Sequence, residues 1–408
     1  MEKKATGKVS VKKEIRKRQI MQLFREKEIL SPSEIAKETQ LTLPMSSSLT
    51  KELQDEGYIK LTDVEVSKVG RPPTSYKLDA EGGYFLGVNI GGRRTTAIML
   101  NLCEEEIGFQ SFSSGNLDGG PEDLIKILDQ VQEFISSCDV EKEKIIGCGI
   151  AITGLVNSKT GETFTHFKTL GFRDFCQEYL KIPVQIENNI NSVVLGEKYF
   201  GSAKDIDNVA CISLGWGIGM GLLVNGELYT GNSGLAGEIG HIKVEENGVV
   251  CTCGKIGCLE TVASGRAIVK QLKSSLREGA ETRLNNLDEE RQRRYYLLEA
   301  FVEEVKKGDL LSMQVMENVG AYIGKSLGTF INLFNPELII LSGILSEAGD
   351  SILYPVRSSI MKNSLIEIYN DIKLEASDLG QKAGSLGATT LVSEHLFGTS
   401  KINADLYV

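Results

Sequence analysis

His241, Cys251, Cys253 and Cys258 gather four metal-binding side chains into one short stretch of a 408-residue chain that has three histidines in all. Three thiolates and one imidazole make a closed tetrahedral shell suited to Zn²⁺, and a closed shell points to a structural ion rather than a hydrolytic one. Gly254 and Gly257 let the loop turn tightly around the ion. The competing reading is a reduced cysteine-rich turn without metal; the spacing and an intracellular setting favour zinc. Two carboxylates flank the loop. Glu238 lies one short turn before His241, and Glu260 comes two residues after Cys258. With one ring nitrogen on the ion, His241 can offer the other to a hydroxyl. Two carboxylates with an imidazole between them suit the adjacent hydroxyls of a pyranose. Either Glu alone would pass for a surface carboxylate.

Alternating strands and helices must carry this constellation. From about Tyr84 onward, Phe85-Leu-Gly-Val-Asn-Ile-Gly-Gly reads as a buried strand ending in a Gly turn, with Thr95–Leu100 as its hairpin partner. A strand over 144–152 ends at Thr153-Gly154. Pro183–Glu187 leads through Asn188-Asn189 into a helix reaching Phe200. Val209–Leu214 precedes the Gly-alternating hairpin Gly215-Trp216-Gly217, and a long helix near 311–333 precedes the strand Leu338–Ser342 and Gly343. Gly91-Gly92, Gly215/Gly217 and Gly343 are three Gly turns after strands. Together they could cradle a nucleotide's phosphates and ribose; singly each is weak.

The first 80 residues read differently. Ile15, Ile20, Leu23 and Phe24 are spaced for a helix over 11–28. Ser31 or Ser33 can cap a second helix, with Pro32 in its first turn if Ser31 is the cap. A third helix is expected over about Leu43–Glu56, with Leu49 and Leu53 facing inward. That leaves Met45, Ser46, Ser47, Ser48, Thr50 and Lys51 outside, where short hydroxyl and basic side chains can reach phosphates and base edges. Two strands, Tyr58–Leu61 and Ser75–Leu78, enclose a loop whose Arg71 sits between Gly70 and Pro72-Pro73. An Arg on so stiff a tip is suited to a narrow minor groove. The pattern is a winged helix-turn-helix. Residues 1–80 hold 16 Lys/Arg against 12 Asp/Glu, whereas the whole chain carries −10. A basic module on an acidic body fits a protein that docks one end on nucleic acid.

Bulk features set the frame. Hydrophobic residues make up 41% and charged residues 25%, as in soluble globular proteins of two or three domains. No apolar run is long enough to span a bilayer, and the N-terminus has no apolar signal core. A cytoplasmic chain with reduced or metal-bound cysteines is expected, with no membrane partner.

These stretches together resemble the ROK family (repressors, open reading frames and kinases). The resemblance rests on Gly70-Arg-Pro, Gly91-Gly92, Glu187-Asn188, Gly237-Glu-Ile-Gly-His241, Cys251-Thr-Cys-Gly-Lys-Ile-Gly-Cys258-Leu-Glu260 and Asn335-Pro-Glu-Leu-Ile-Ile. It covers the whole chain. It implies an α/β protein: a winged helix-turn-helix over 1–80, then a two-lobed, actin-like (ribonuclease H-like) sugar-kinase fold over 81–408. Lobe I would span about 81–195 plus a C-terminal helix at about 385–408. Lobe II would span about 196–384 and contain the zinc loop 241–258. The resemblance implies the same four zinc ligands, and places Gly154, Asn188, Asn189, Glu238, His241 and Glu260 on a sugar in the cleft between lobes.

Three departures separate this chain from the family's kinases. Asn89 replaces the Asp of the first nucleotide loop. Asn189 replaces the Asp that takes the proton from the attacking sugar hydroxyl; an amide can hydrogen-bond that hydroxyl but cannot take its proton. Trp216 replaces a small Thr and would crowd the phosphates. Asn89, Gly91, Gly92, Gly215, Gly217 and Gly343 are therefore read as a vestigial nucleotide loop, and ATP is not expected as a cofactor. Thr153 before Gly154, and His166, also differ from the family pattern. The expected function is a sugar-responsive repressor of carbohydrate-use genes. It would bind operator DNA as a homodimer or homotetramer and take a monosaccharide or sugar phosphate as effector. Two alternatives stand beside it: an ATP-dependent sugar kinase of glucokinase or N-acetylhexosamine kinase type, and a protein-interaction module.

Overall fold

The computed structural model describes residues 2–62, 74–168, 171–287 and 294–398, with side chains described from residue 11 and, after the last break, from residue 295. The chain opens with helices α1 (Glu2–Glu26), α2 (Pro32–Thr39) and α3 (Leu43–Asp55), then strands β1 (Ile59–Thr62) and β2 (Ser75–Leu78). Of the two candidate caps, Ser31 is the one used. Its hydroxyl accepts from Glu34 N at 3.3 Å, and Glu34 Oε2 accepts from Ser31 N at 2.8 Å. This reciprocal pair satisfies two donors that the first turn leaves open. β1 and β2 pair antiparallel, Ile59 opposite Leu78. Arg71 lies outside the described residues.

Lobe I follows as β3 (Tyr84–Ile90), β4 (Arg94–Asn101), β5 (Glu106–Ser113), α4 (Pro121–Ser137), β6 (Ile145–Ile152), the small hairpin β7 (Val156–Asn157) and β8 (Glu162–Thr163), α5 (Phe172–Leu180) and β9 (Val184–Asn188). Its five-stranded sheet runs β5-β4-β3-β6-β9. Helix α6 (Asn189–Phe200) leads into lobe II: β10 (Val209–Leu214), β11 (Ile218–Val224), β12 (Glu227–Leu228), α7 (Glu260–Ala263), α8 (Gly265–Arg277), α9 (Arg294–Lys306), α10 (Leu310–Phe334), β13 (Leu338–Ser342), α11 (Asp350–Asn363), α12 (Ile366–Asp371) and β14 (Lys373–Ala376). Here the order is β12-β11-β10-β13-β14. Each sheet thus has the same topology: two antiparallel pairings on one side of its first strand, two parallel ones on the other. This duplication is the two-lobed kinase-like architecture, and nothing in the spacing of residues announces it.

The chain closes with α13 (Ala383–Phe397). The C-terminal helix expected over 385–408 therefore starts two residues earlier, and positions 399–408 lie outside the described residues. α13 is buried on nearly every side and lies on the lobe I sheet and α6. Small residues allow this. A Cβ on Gly149 would come within 1.8 Å of Ala388 O, and one on Gly387 within 1.6 Å of Ser192 O. Backbone cannot yield as a flexible side chain can, so Gly149→Ala is expected to cost lobe I about 1–3 kcal/mol. A lowered midpoint in chemical denaturation would show it.

The N-terminal module is not tethered loosely. Ile20, Phe24, Leu30, Leu49, Leu53 and Ile59 share one buried cluster with Phe85, Leu102, Val392 and Phe397. The winged helix, the first strand of lobe I and the last helix form a continuous core.

Candidate functional site

The metal site comes first. The ligand atoms of His241, Cys251, Cys253 and Cys258 all lie within 4.8 Å of one another. Cys251 Sγ is 3.6 Å from His241 Nδ1, and Cys253 Sγ is 3.6 Å from Cys258 Sγ. A tetrahedron with Zn–S bonds of about 2.3 Å has edges of about 3.7 Å, so the donor set fits zinc. Backbone bonds preform the loop. Cys251 N donates to Lys255 O at 2.7 Å, and Gly254 N to Cys251 O at 2.9 Å. Gly257 takes φ +76°, and a Cβ there would lie 1.8 Å from Glu245 O. Burial and neighbouring sulfurs push the Cys258 thiol up to about 12, while the Lys255 backbone holds Cys253 below the usual thiol range. A divalent cation relieves that conflict by binding all three as thiolates.

Orientation of His241 carries the argument toward a ligand. Its Nδ1 faces the sulfurs, and its Nε2 lies 3.8 Å from Glu238 Oε2. Burial pushes the Glu238 carboxyl up; His241 opposes this and Glu260 adds to it. Glu260 Oε1 accepts from Ile218 N at 2.9 Å. Gly237, just before this group, has φ +92°, and a Cβ there would lie 1.8 Å from Met220 O, so both backbone and space call for glycine. Glu238, His241 and Glu260 are therefore seated on one strand, β11.

Helix α6 packs on the same strand. Asn188 caps α6: its Oδ1 accepts from Ile190 N at 2.9 Å, and its Nδ2 donates to Gly154 O at 2.6 Å. Glu187 is buried, and its Oε1 accepts from Asn188 N at 2.7 Å and Asn191 Nδ2 at 3.0 Å. Ile190, next to Asn189, packs on β11; a Cβ on Gly221 would meet Ile190 O at 2.6 Å. Gly154 has φ +93° and Thr165 close against it. Neighbouring His166 bonds Asp118 at 3.0 Å. Helix α6, capped by Asn188, thus packs on β11 through Ile190, and Gly237 and Glu260 lie against the same strand from lobe II.

The Gly turns of the expected nucleotide site face protein side chains. Arg93, after Gly91-Gly92, pairs with Glu299 of α9 and lies over the Tyr296 ring at 4.4 Å. Trp216, between Gly215 and Gly217, meets Tyr295 at 4.4 Å between ring centroids. Gly343 takes φ +85° against Leu214 O. Asn89 Oδ1 is buried without a partner, and the Asn89 side chain fills the space a Cβ on Gly384 would need. Sequence reasoning missed Glu299, Tyr295 and Tyr296, which lie more than 75 residues from the turns they meet.

One part of the DNA-facing assignment needs correcting. Ser46 and Thr50, expected on the outer side of α3, are fully buried. Ser46 Oγ donates to Pro32 O at 2.7 Å, and Thr50 Oγ1 to Ser46 O at 2.9 Å. The helical stripe 46, 49, 50, 53 sets this: once Leu49 and Leu53 face inward, Ser46 and Thr50 share their face. Ser47, Ser48 and Lys51 are exposed. Two kinds of variant should then part. Ser46→Ala is expected to lower stability by about 1 kcal/mol, by removing the buried hydrogen bond from Ser46 Oγ to Pro32 O. Lys51→Ala is expected to leave stability unchanged and to reduce the salt slope of DNA binding by about 1. Thermal melts and salt-titrated anisotropy on one DNA fragment separate the two.

Comparison with known proteins agrees with this geometry. The ROK family model matches residues 85–395. The chain is 28% identical over 394 residues to the xylose repressor of Caldicellulosiruptor bescii, covering 95% of this chain and 97% of that one. It is 27% identical over 392 residues to the DNA-binding transcriptional dual regulator NagC of Escherichia coli, covering 95% and 94%. Among solved structures, a ROK family transcriptional regulator, homologous to the E. coli MLC protein, superposes with TM-score 0.81 at 27% identity, covering 95% and 97%. A ROK family glucokinase from Streptomyces griseus, in complex with glucose and AMPPNP, superposes with TM-score 0.65 at 27% identity, covering 76% of this chain and 100% of that one. A family model spanning 85–395, on a two-lobed sheet duplication with a winged helix in front, shows that this chain belongs to the ROK family.

Proposed function

We propose that the chain is a sugar-responsive transcriptional repressor of carbohydrate-use genes, and not a kinase. One observation carries this. The regulators it resembles align over the winged helix and both lobes alike, whereas the glucokinase covers 76% of the chain. Operator DNA is read by α3 and the wing. Ser47, Ser48 and Lys51 are the described candidates for contact, and Arg71 is assigned to the wing tip. A monosaccharide or sugar phosphate is bound by Gly154, Asn188, Asn189, Glu238, His241 and Glu260. A structural zinc on His241, Cys251, Cys253 and Cys258 holds the imidazole so that Nε2 meets a sugar hydroxyl. Asn89, Gly91, Gly92, Gly215, Gly217 and Gly343 are the remains of a nucleotide loop. No described helix is long and apolar enough to cross a membrane. A cytoplasmic homodimer, or a homotetramer using two of its four winged helices, suits a two-fold operator.

D-xylose is the first effector to try, because several similar regulators are named xylose repressors; N-acetylglucosamine follows. The decisive measurement pairs thermal shift against these sugars with anisotropy on DNA flanking the chain's own gene. A sugar that raises the melting temperature should also release the DNA, by biasing the lobes toward one arrangement. Sugar-dependent ADP formation at ordinary kinase rates would overturn the reading.

A further inference from the structure

Arg25 stands where the DNA-binding module meets the sensor. It ends α1, and its side chain is mostly buried, at 18% exposure. Its guanidinium grips Glu104 with two donors, Nη2 to Oε1 at 2.5 Å and Nε to Oε2 at 3.2 Å. Nη1 reaches Glu394 Oε1 of α13 at 3.0 Å. The same group lies over the Tyr199 ring at 4.8 Å and the Phe397 ring at 5.4 Å. Tyr199 in turn hydrogen-bonds Glu394. One planar cation therefore touches the β4–β5 turn, α13 and the last turn of α6. A lysine, as a point charge, could not hold that fork and stack at once.

α6 is the element with something to report. Its first turn is Asn188-Asn189, and Tyr199 lies about 15 Å further along the axis at 1.5 Å per residue. Between them α6 is tied to lobe II. Ile190, Val194 and Leu195 share a buried cluster with Val209, Cys211, Leu223 and Ile340. Buried Glu197 accepts from Ser377 Oγ at 2.5 Å, just beyond β14. A shift of lobe II against lobe I is therefore felt by α6 at both ends. Packed helices move as rigid bodies, by sliding or small rotation.

We propose that Arg25 is the positioning residue that couples the sugar cleft to the DNA-binding module: it reads the place of α6, through Tyr199, against α13 and Glu104. The inference rests on the assignment of Asn188 to the sugar site. It gives the two modules a link that does not pass through the chain connection between β2 and β3.

Hydrogen exchange on the full chain tests the coupling without needing the effector. Asn188→Ala removes the α6 cap at the sugar end. In an Arg25-containing chain it should speed exchange across residues 11–26 by about fivefold or more, within the usual range of site-to-site coupling. In an Arg25→Gln chain, residues 11–26 should already exchange faster, and adding Asn188→Ala should change nothing further. Arg25→Lys should fall between. Exchange in α10 and α11, which pack on each other away from α6, serves as the folding control and should match the unaltered chain; if Arg25→Gln unfolds, the same cycle is run with Arg25→Lys. An equal effect of Asn188→Ala with and without Arg25, or no effect at all, overturns the proposal, since a merely structural anchor would give one of these. A separate arm adds D-xylose and follows residues 238–260. Failure there bears on the sugar reading alone.

Discussion

Cys258→Ser is expected to release the zinc, lower the melting temperature of lobe II and abolish the sugar response, while DNA binding persists. The reasons are local. Cys258 is buried, with its Sγ 3.6 Å from Cys253 Sγ. Losing one of four ligands opens a shell whose metal contributes folding free energy directly. His241 then loses the partner that turns its Nε2 toward Glu238. The proposed sugar site would lose two hydrogen bonds, worth together about 3 kcal/mol, which is about a hundredfold in affinity. The winged helix should be spared, because its core is shared with Phe85, Leu102 and α13 rather than with lobe II. Zinc content by atomic emission, thermal melts and DNA anisotropy with and without sugar measure each part. Full zinc retention with an unchanged sugar response would contradict the assignment.

Phosphoryl transfer is expected to be absent, and Asn189→Asp alone is expected not to create it. Replacing a general base by an amide costs about 10²- to 10⁴-fold. Restoring the carboxylate would recover that factor only if Mg-ATP could bind. The Gly91-Gly92 turn faces α9 through the Arg93–Glu299 pair and the Tyr296 ring, and Trp216 packs on Tyr295. Those side chains stand against the turns that would hold phosphates. Asn189→Asp combined with Arg93→Thr and Trp216→Thr opens both turns, and is the variant in which measurable sugar-dependent ADP formation should first appear. A coupled ADP assay on the three chains decides. Turnover by Asn189→Asp alone would mean that α9 does not guard the site.

Much of this was legible in local spacing. The four metal ligands and two carboxylates lie within a stretch of 23 residues, from 238 to 260, and short-range backbone bonds fold that stretch on itself. The α2 cap, the Gly turns and Asn189 in place of an acid are likewise statements about adjacent residues. α3 marks the boundary. Leu49 and Leu53 define its inner face, and helical phase puts Ser46 and Thr50 beside them despite their polarity, with Pro32 O accepting from Ser46.

The sequence by itself determined the chemistry available: a donor set that could hold a metal ion, two carboxylates beside its imidazole and a basic winged helix. Tertiary structure alone decided how these are joined. Arg25 meets Glu104 and Glu394, 79 and 369 residues away, and Arg93 meets Glu299. Neither sheet's order, nor its repetition in the second lobe, follows from periodicity, because periodicity reports which face of an element is buried and not which element buries it. Contacts between distant segments are selected by the packing of the whole core, where Gly149 and Gly387 admit α13 and α13 admits Arg25. That selection is what places the last turn of α1 in contact with α6, the helix that Asn188 caps.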